Sequence, residues 1–229
     1  MKRFYALLVL AFVAVAPKAF AGGDFYGDEG YGRTYVGYSE ALVSWSKASD
    51  VNKDLFPLSK SVTLGHLGTG RLFGALPLFV EYGINAQYTY GDSTSTLLGI
   101  TTNYKADMLA VNIPLHLSLN LSLGGVGLTP YAGVNLRGNI FGTRTSELKV
   151  GNTTTTEELR LFDDSEEKGA AGDNAWERFQ VGLSYGVSLN LGRCTVGVGI
   201  VSDLMPLVEY DDDNTATLTY KTLSVGFAF

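Results

Sequence analysis

The run "MLAVNIPLHLSLNLSL" constrains this chain more than any other feature of it. Leu109, Val111, Ile113, Leu115, Leu117, Leu119 and Leu121 fall on one side, and Asn112, Pro114, His116, Ser118, Asn120 and Ser122 on the other. A two-residue period is the signature of a strand with unlike faces. "RFQVGLSYGVSLNL" repeats it, with Phe179 to Leu191 apolar at every odd position, and "PLFVEYGINAQYTYG" does the same from Val80 to Tyr90. Strands of soluble sheets cluster at about 5–6 residues, whereas a tilted strand crossing a bilayer needs about 9–11. Several runs here hold their phase for 11 residues or more.

Eight such segments are expected, at 31–46, 60–73, 76–91, 104–122, 127–142, 175–191, 194–208 and 215–229. The phase is blurred in the first, at Tyr35, Tyr38, Glu40 and Leu42, and weakened in the second by Gly65, Gly68 and Gly70. Short turns at Gly74-Ala75, Leu123–Gly127 and Gly192-Arg193 alternate with longer polar connections, the longest from Thr143 to about Ala175. An even strand count, with short turns at one end and long loops at the other, is the layout of an outer-membrane barrel. Hydrocarbon leaves unpaired backbone unsatisfied, so a sheet inside it must close on itself. The expected fold is therefore all-β, an eight-stranded antiparallel up-and-down transmembrane barrel.

The front end supports export. "MKRFYALLVLAFVAVAPKAFA" has basic Lys2 and Arg3, an uncharged apolar stretch from Phe4 to Ala16, and a small-x-small ending at Ala19-Phe20-Ala21. That is the form of a secretory signal peptide. The expected organisation is a signal peptide over 1–21, a short segment over 22–30 and the barrel over 31–229. Removing the signal leaves 14 basic against 23 acidic residues, a net of −9. So acidic a chain, with no basic run, is unsuited to nucleic acid. The single cysteine, Cys194, cannot form an internal disulfide.

The C-terminal "LSVGFAF" places Leu223, Val225, Phe227 and Phe229 on one face. With these residues the chain resembles the small outer-membrane β-barrel proteins of Gram-negative bacteria, the OmpA-, OmpX- and OmpW-like barrels and the PorT-like barrels. "NIPLHLSL" and "LTPYAGVNLRG" are similar to neighbouring strands of the PorT-like members. The resemblance implies an outer-membrane location and a terminal signal, Leu223, Val225, Phe227 and Phe229, read by the barrel-assembly machinery. It implies no particular activity.

An eight-stranded barrel is just wide enough for its own side chains. The phase sends Glu81, His116, Arg137, Arg178 and Asp203 inward, with Asn85, Gln87, Asn112, Asn120, Asn135, Asn139, Gln180 and Asn190. Buried Arg137 and Arg178 require carboxylate partners, for which Glu81 and Asp203 are the candidates. A hydrolytic site needs nucleophile, His base and orienting acid within reach. Ser118 shares a face with His116 but has no acid near it in sequence, and His66 lies in the weakest strand, so no catalytic, cofactor or metal site is expected. Gly192, Gly197 and Gly199 occupy turn and alternating strand positions that leave room for larger interior side chains, and they lack the context of a nucleotide loop. "YDDDNT" lacks calcium-loop spacing. The loop over 143–175 is the expected contact surface for an extracellular ligand or protein. It lies within Thr143–Glu177, which has four basic and nine acidic residues, and "SELKV" and "ELRLF" could extend the flanking strands as a hairpin. The expected role is structural or interactive. The alternatives are a narrow channel for small or apolar solutes and, behind it, a lipid-modifying enzyme.

Overall fold

The computed structural model describes residues 32–47, 56–72, 76–97, 100–123, 126–165, 167–172, 175–210 and 214–228. The expected signal peptide over 1–21, the segment over 22–30, the Gly74-Ala75 turn, the three aspartates of "YDDDNT" and the terminal Phe229 lie outside them. Eleven strands follow in chain order: β1 Gly32–Trp45, β2 Lys60–Arg71, β3 Leu78–Leu97, β4 Ile100–Leu119, β5 Leu121–Leu123, β6 Val126–Val150, β7 Thr153–Arg160, β8 Phe179–Leu191, β9 Cys194–Asp203, β10 Val208–Tyr210 and β11 Asn214–Ala228. All strand pairs are antiparallel.

Eight of them make the wall, in the order β1-β2-β3-β4-β6-β8-β9-β11, and β11 returns to β1 from Arg33↔Ala228 to Trp45↔Ala216. This is the closed eight-stranded barrel that the alternation implies. Of the remaining strands, β5 carries the line of β4 along β6, β10 pairs the start of β11, and β7 pairs only β6.

The wall has an apolar outside and, over most of its length, a polar inside. Val36, Ile84, Leu115, Leu117, Leu183, Val198, Leu223, Val225 and Phe227 are exposed, while Glu81, Asn112, Arg137, Gln180 and Asn190 are buried. The blurred phase of the first segment resolves at this point. Arg33, Tyr35, Ser39 and Ala41 keep one parity, and Val36, Tyr38 and Glu40 keep the other. β6 breaks its parity once: Leu109 pairs Phe141 but Ala110 pairs Asn139, so Ile140 is an extra residue. Such a bulge changes which face the following residues occupy. It leaves Ile140 exposed and turns Gly142 inward, where the steady phase expected for 127–142 would have sent Phe141.

The connection expected as a polar loop between the third and fourth segments is strand instead. β3 and β4 remain paired out to Leu97↔Ile100, and β6 pairs β4 out to Val150. The first half of the longest loop is a hairpin in which Val150↔Thr153 flanks Gly151, whose φ of 59° is ready for a tight turn. In the other direction the seventh segment is shorter than expected, because β9 ends at Asp203.

Glycine is required where neighbouring strands close in. A Cβ on Gly133 would run into the Leu115 carbonyl and the His116 backbone, whereas one on Gly70 would meet nothing. Gly133→Ala is therefore expected to lower barrel stability by about 1–3 kcal/mol as an overpacked site. Gly70→Ala should change it by less than about 0.5 kcal/mol. Urea unfolding in detergent, followed by heat-dependent gel mobility, checks both.

Candidate functional site: a sealed lumen and a projecting sheet

Three zones occupy the barrel from the end bearing the chain termini to the opposite end. Nearest the termini, β1 supplies Arg33, β3 Glu81, β4 His116 and β6 Tyr131. Arg33 Nη2 lies 3.3 Å from Glu81 Oε2, and Arg33 Nη1 donates to Ser188 Oγ at 2.9 Å. His116 Nδ1 is 3.6 Å from the same carboxylate oxygen, and its ring stacks on Tyr131 at 4.8 Å. Glu81 is wholly buried, and a lone carboxylate there would be costly, so its cation is structurally obligatory.

A second ionic layer follows. Arg137 Nη1 meets Asp203 Oδ2 at 2.7 Å, with side chains only 1% exposed on both sides. The same guanidinium donates to Asn112 Oδ1 and Gln180 Oε1, each at 3.2 Å, and lies 4.6 Å from the centre of the Tyr220 ring. Asn112 extends the network by donating to Asn85 at 2.8 Å and Gln87 at 3.2 Å and by accepting from Asn135 at 3.1 Å. Residues of both layers, including Arg33, His116, Asn112 and Tyr220, line an interior cavity of about 90 Å³.

The third zone is apolar. Ala41, Ala106, Met108, Ala216 and Leu218 point inward from the wall, and Phe56, Leu58, Leu161, Phe162, Trp176 and Leu207 pack onto them from the connections. Trp45 meets Phe56 edge-on at 4.7 Å, Phe56 stacks on Trp176 at 5.8 Å, and Phe162 meets Trp176 at 90°. Backbone bonds tie the cover down: Leu161 N to Gly142 O at 2.9 Å, Trp176 N to Leu161 O at 2.7 Å and Glu177 N to Leu207 O at 2.7 Å. Gly142 is what admits Phe162, whose ring would lie 2.8 Å from a Cβ at that position.

The structure places Glu81, His116, Arg137 and Asp203 inside, though in two clusters. Arg178 is corrected. It is exposed at the rim, where Nη2 donates to the Phe162 carbonyl at 2.8 Å and Nη1 to the Ile140 carbonyl at 3.3 Å. β8 begins only at Phe179, so the strand phase does not govern residue 178. It pairs with neither Glu81 nor Asp203; it pins the apolar cover. The interior is also less uniformly polar than the phase implied. Loop residues fill its far end, and loops have no period to read. Arg33 was missed because the parity of its strand is blurred in sequence. Its one clue was an Arg standing beside the apolar-aromatic run that follows.

The two histidines do not meet. His116 is inside, whereas His66 is on the outer side of β2, its Nδ1 3.2 Å from Thr34 Oγ1. Glu81 supplies His116 with the acid that its sequence neighbourhood lacks, and the pair is buried inside the wall at the end away from the apolar cover. Gly186 and Gly199 make room for the Tyr131 hydroxyl, as the sequence expectation for Gly199 holds.

The second feature lies outside the wall. β3, β4, β6 and β7 continue beyond the apolar cover as a four-stranded sheet. Its outward face is polar, with Thr94 donating to Asn103 at 2.9 Å and Lys105 3.8 Å from Glu147. Its axis-facing side exposes Ile100, Leu148 and Val150.

No protein-family model matches the chain, and no curated protein matches it in sequence. Among solved structures it is similar to Ail, the attachment invasion locus protein of Yersinia pestis, at 11% identity over 88% of this chain and 99% of that one, with a TM-score of 0.41. It is also similar to Neisserial surface protein A at 11% identity over 86% and 97%, TM-score 0.42. A major outer membrane protein of Thermus thermophilus aligns at 13% identity over 86% and 99%, TM-score 0.40. The likeness is confined to the fold.

Removing one partner of the inner ion pair should be far worse than removing both. Arg137→Met alone strands Asp203 and is expected to cost about 3–5 kcal/mol. Arg137→Met combined with Asp203→Leu should recover most of that loss, as read from urea unfolding of the two variants in detergent.

Proposed function

We propose that this protein is an exported outer-membrane barrel that conducts nothing and works through the surface it holds outside the cell. The observation that carries this reading is the doubly closed lumen, an ion-paired layer under an apolar cover, in a molecule that extends four strands well past that cover. The apolar outer wall supports membrane residence. β4 presents Leu109 to Leu119 outward and β8 Phe179 to Leu191, each at least the 9–11 residues that a tilted crossing takes. β6 is 25 residues long, roughly 80 Å at about 3.4 Å per residue, and so reaches far beyond a bilayer core of about 30 Å. With the termini and short turns at the periplasmic end, the β3–β4 and β6–β7 hairpins stand outside the cell. Outer-membrane lipids are then its solvent, and the barrel-assembly machinery is the partner that reads the C-terminal residues Leu223, Val225, Phe227 and Phe229.

A narrow channel is the reading this arrangement disfavours. A solute would have to part the Phe56–Trp176–Phe162 cover and break the Arg137–Asp203 pair, leaving buried charges unsatisfied. A lipid-modifying enzyme is disfavoured because His116 faces the lumen while His66 lies on the outer side of β2, so the two do not share a site.

Purified protein in liposomes is expected to pass neither ions nor small dyes above the level of empty vesicles; steady flux would restore the channel. Lipids extracted from expressing cells should be unchanged, and a new lipid species lost in His116→Ala or His66→Ala would restore the enzyme. Replacing residues 145–158 by an Asn-Gly turn should abolish capture of the surface partner by whole cells. Heat-dependent gel mobility should not change.

A further inference from the structure

The projecting sheet ends in an open side. β7 pairs β6 from Val150↔Thr153 to Thr143↔Arg160, and among the described residues nothing pairs its other side beyond Arg160. At Arg160 the chain itself shows what that side accepts. The Arg160 amide donates to the Gly169 carbonyl at 2.7 Å, and Arg160 and Ala170 form a parallel bridge. A turn of the chain around Gly169 has thus laid a single bridge against the base of β7. Successive residues of a strand turn their backbone groups to opposite sides. With the Arg160 amide facing away from β6, the N–H and C=O groups of Glu158, Thr156 and Thr154 face the same way; Gly169 lies against the Glu158 carbonyl, and those of Thr156 and Thr154 remain open.

Such a row of unmatched groups is a template for another strand, which proteins commonly block with Pro, Lys, a bulge or a covering loop. Thr153 to Thr156 carry none of these residues, and β-branched threonines favour strand pairing. The charge selects the partner. Glu157 and Glu158 are exposed, lie on opposite faces and make no ion pair among the described residues. The strand's one cation, Arg160, is held by Asp163 at 2.9 Å and Glu167 at 3.3 Å. A second copy of this chain would bring the same acidic segment against itself, whereas a basic segment would meet complementary charge.

Resting on the surface role proposed above, we propose that the open side of β7 is a docking site for an extended, basic stretch of polypeptide. The stretch adds as a further strand through the main-chain groups of Thr154 and Thr156. Its Lys or Arg side chains lie against Glu157 and Glu158. Strand addition of this kind draws affinity from the main chain and selectivity from alternate side chains.

The test uses the full chain in phospholipid nanodiscs and three fluorescent ten-residue peptides: one alternating Lys with Val, one alternating Glu with Val, and the Lys peptide with prolines at every other Val. The Lys–Val peptide is expected to bind at least tenfold more tightly than either of the others and to weaken as salt rises. Thr156→Pro removes an amide that points off the sheet, leaving the β6 ladder whole, and should cost at least tenfold in binding. Glu157→Lys with Glu158→Lys should transfer the preference to the Glu peptide; it alters no backbone group and decides the matter if the proline variant misfolds. Equal binding of the Lys–Val and proline peptides, or an unchanged preference in the double variant, overturns the proposal. If the Asn-Gly replacement abolishes surface capture while the peptides fail, the surface role stands and the strand-addition site falls. If that replacement leaves capture intact, the surface role itself falls.

Discussion

The β1–β11 pairing is the contact on which the rest of the molecule depends. Thirteen residue pairs, from Arg33↔Ala228 to Trp45↔Ala216, join the first strand to the last and convert a sheet with two open borders into a ring. Each strand of the wall then has a neighbour on both sides to bond with, which is the condition for strands surrounded by apolar medium. The closed ring also creates an inside. Arg33 on β1 reaches Ser188 on β8, and Thr89 on β3 reaches Tyr220 on β11, because the ring closes through β1 and β11.

Closure creates a second problem, the disposal of a narrow interior, and the chain solves it in two chemistries. Where the wall is uninterrupted strand, inward positions are Asn, Gln, Ser, Thr and two arginine–carboxylate pairs, joined by hydrogen bonds such as those of Asn112 and Arg137. Where loops converge, Phe56, Leu161, Phe162, Trp176 and Leu207 supply an apolar cover. Burial of aromatic surface stabilises that cover, and Arg178 fastens it by bonding two carbonyls at the rim.

The projection follows from strand length alone. β3, β4 and β6 do not stop where the wall ends, and the one-residue bulge at Ile140 rotates the upper part of β6 so that Gly142 faces the cover and Phe141 does not. Past that point the sheet gains β7 on one side and loses the ring on the other. An architecture without borders in the membrane thereby acquires borders outside it.

The period of two was enough to decide the strand number, the closed fold, and which side of most strands faces inward, because alternation is a local property of the backbone and survives any register. It was enough to send Glu81, His116, Arg137 and Asp203 to the interior. It could not say that Glu81 belongs with Arg33 and His116 while Arg137 belongs with Asp203, since those meetings depend on the stagger between strands. It also misassigned Arg178, one residue before its strand begins, and gave no sign of the apolar cover. The cover's side chains sit on connections held in place by contacts distant in the chain, and only the assembled ring brings those contacts together.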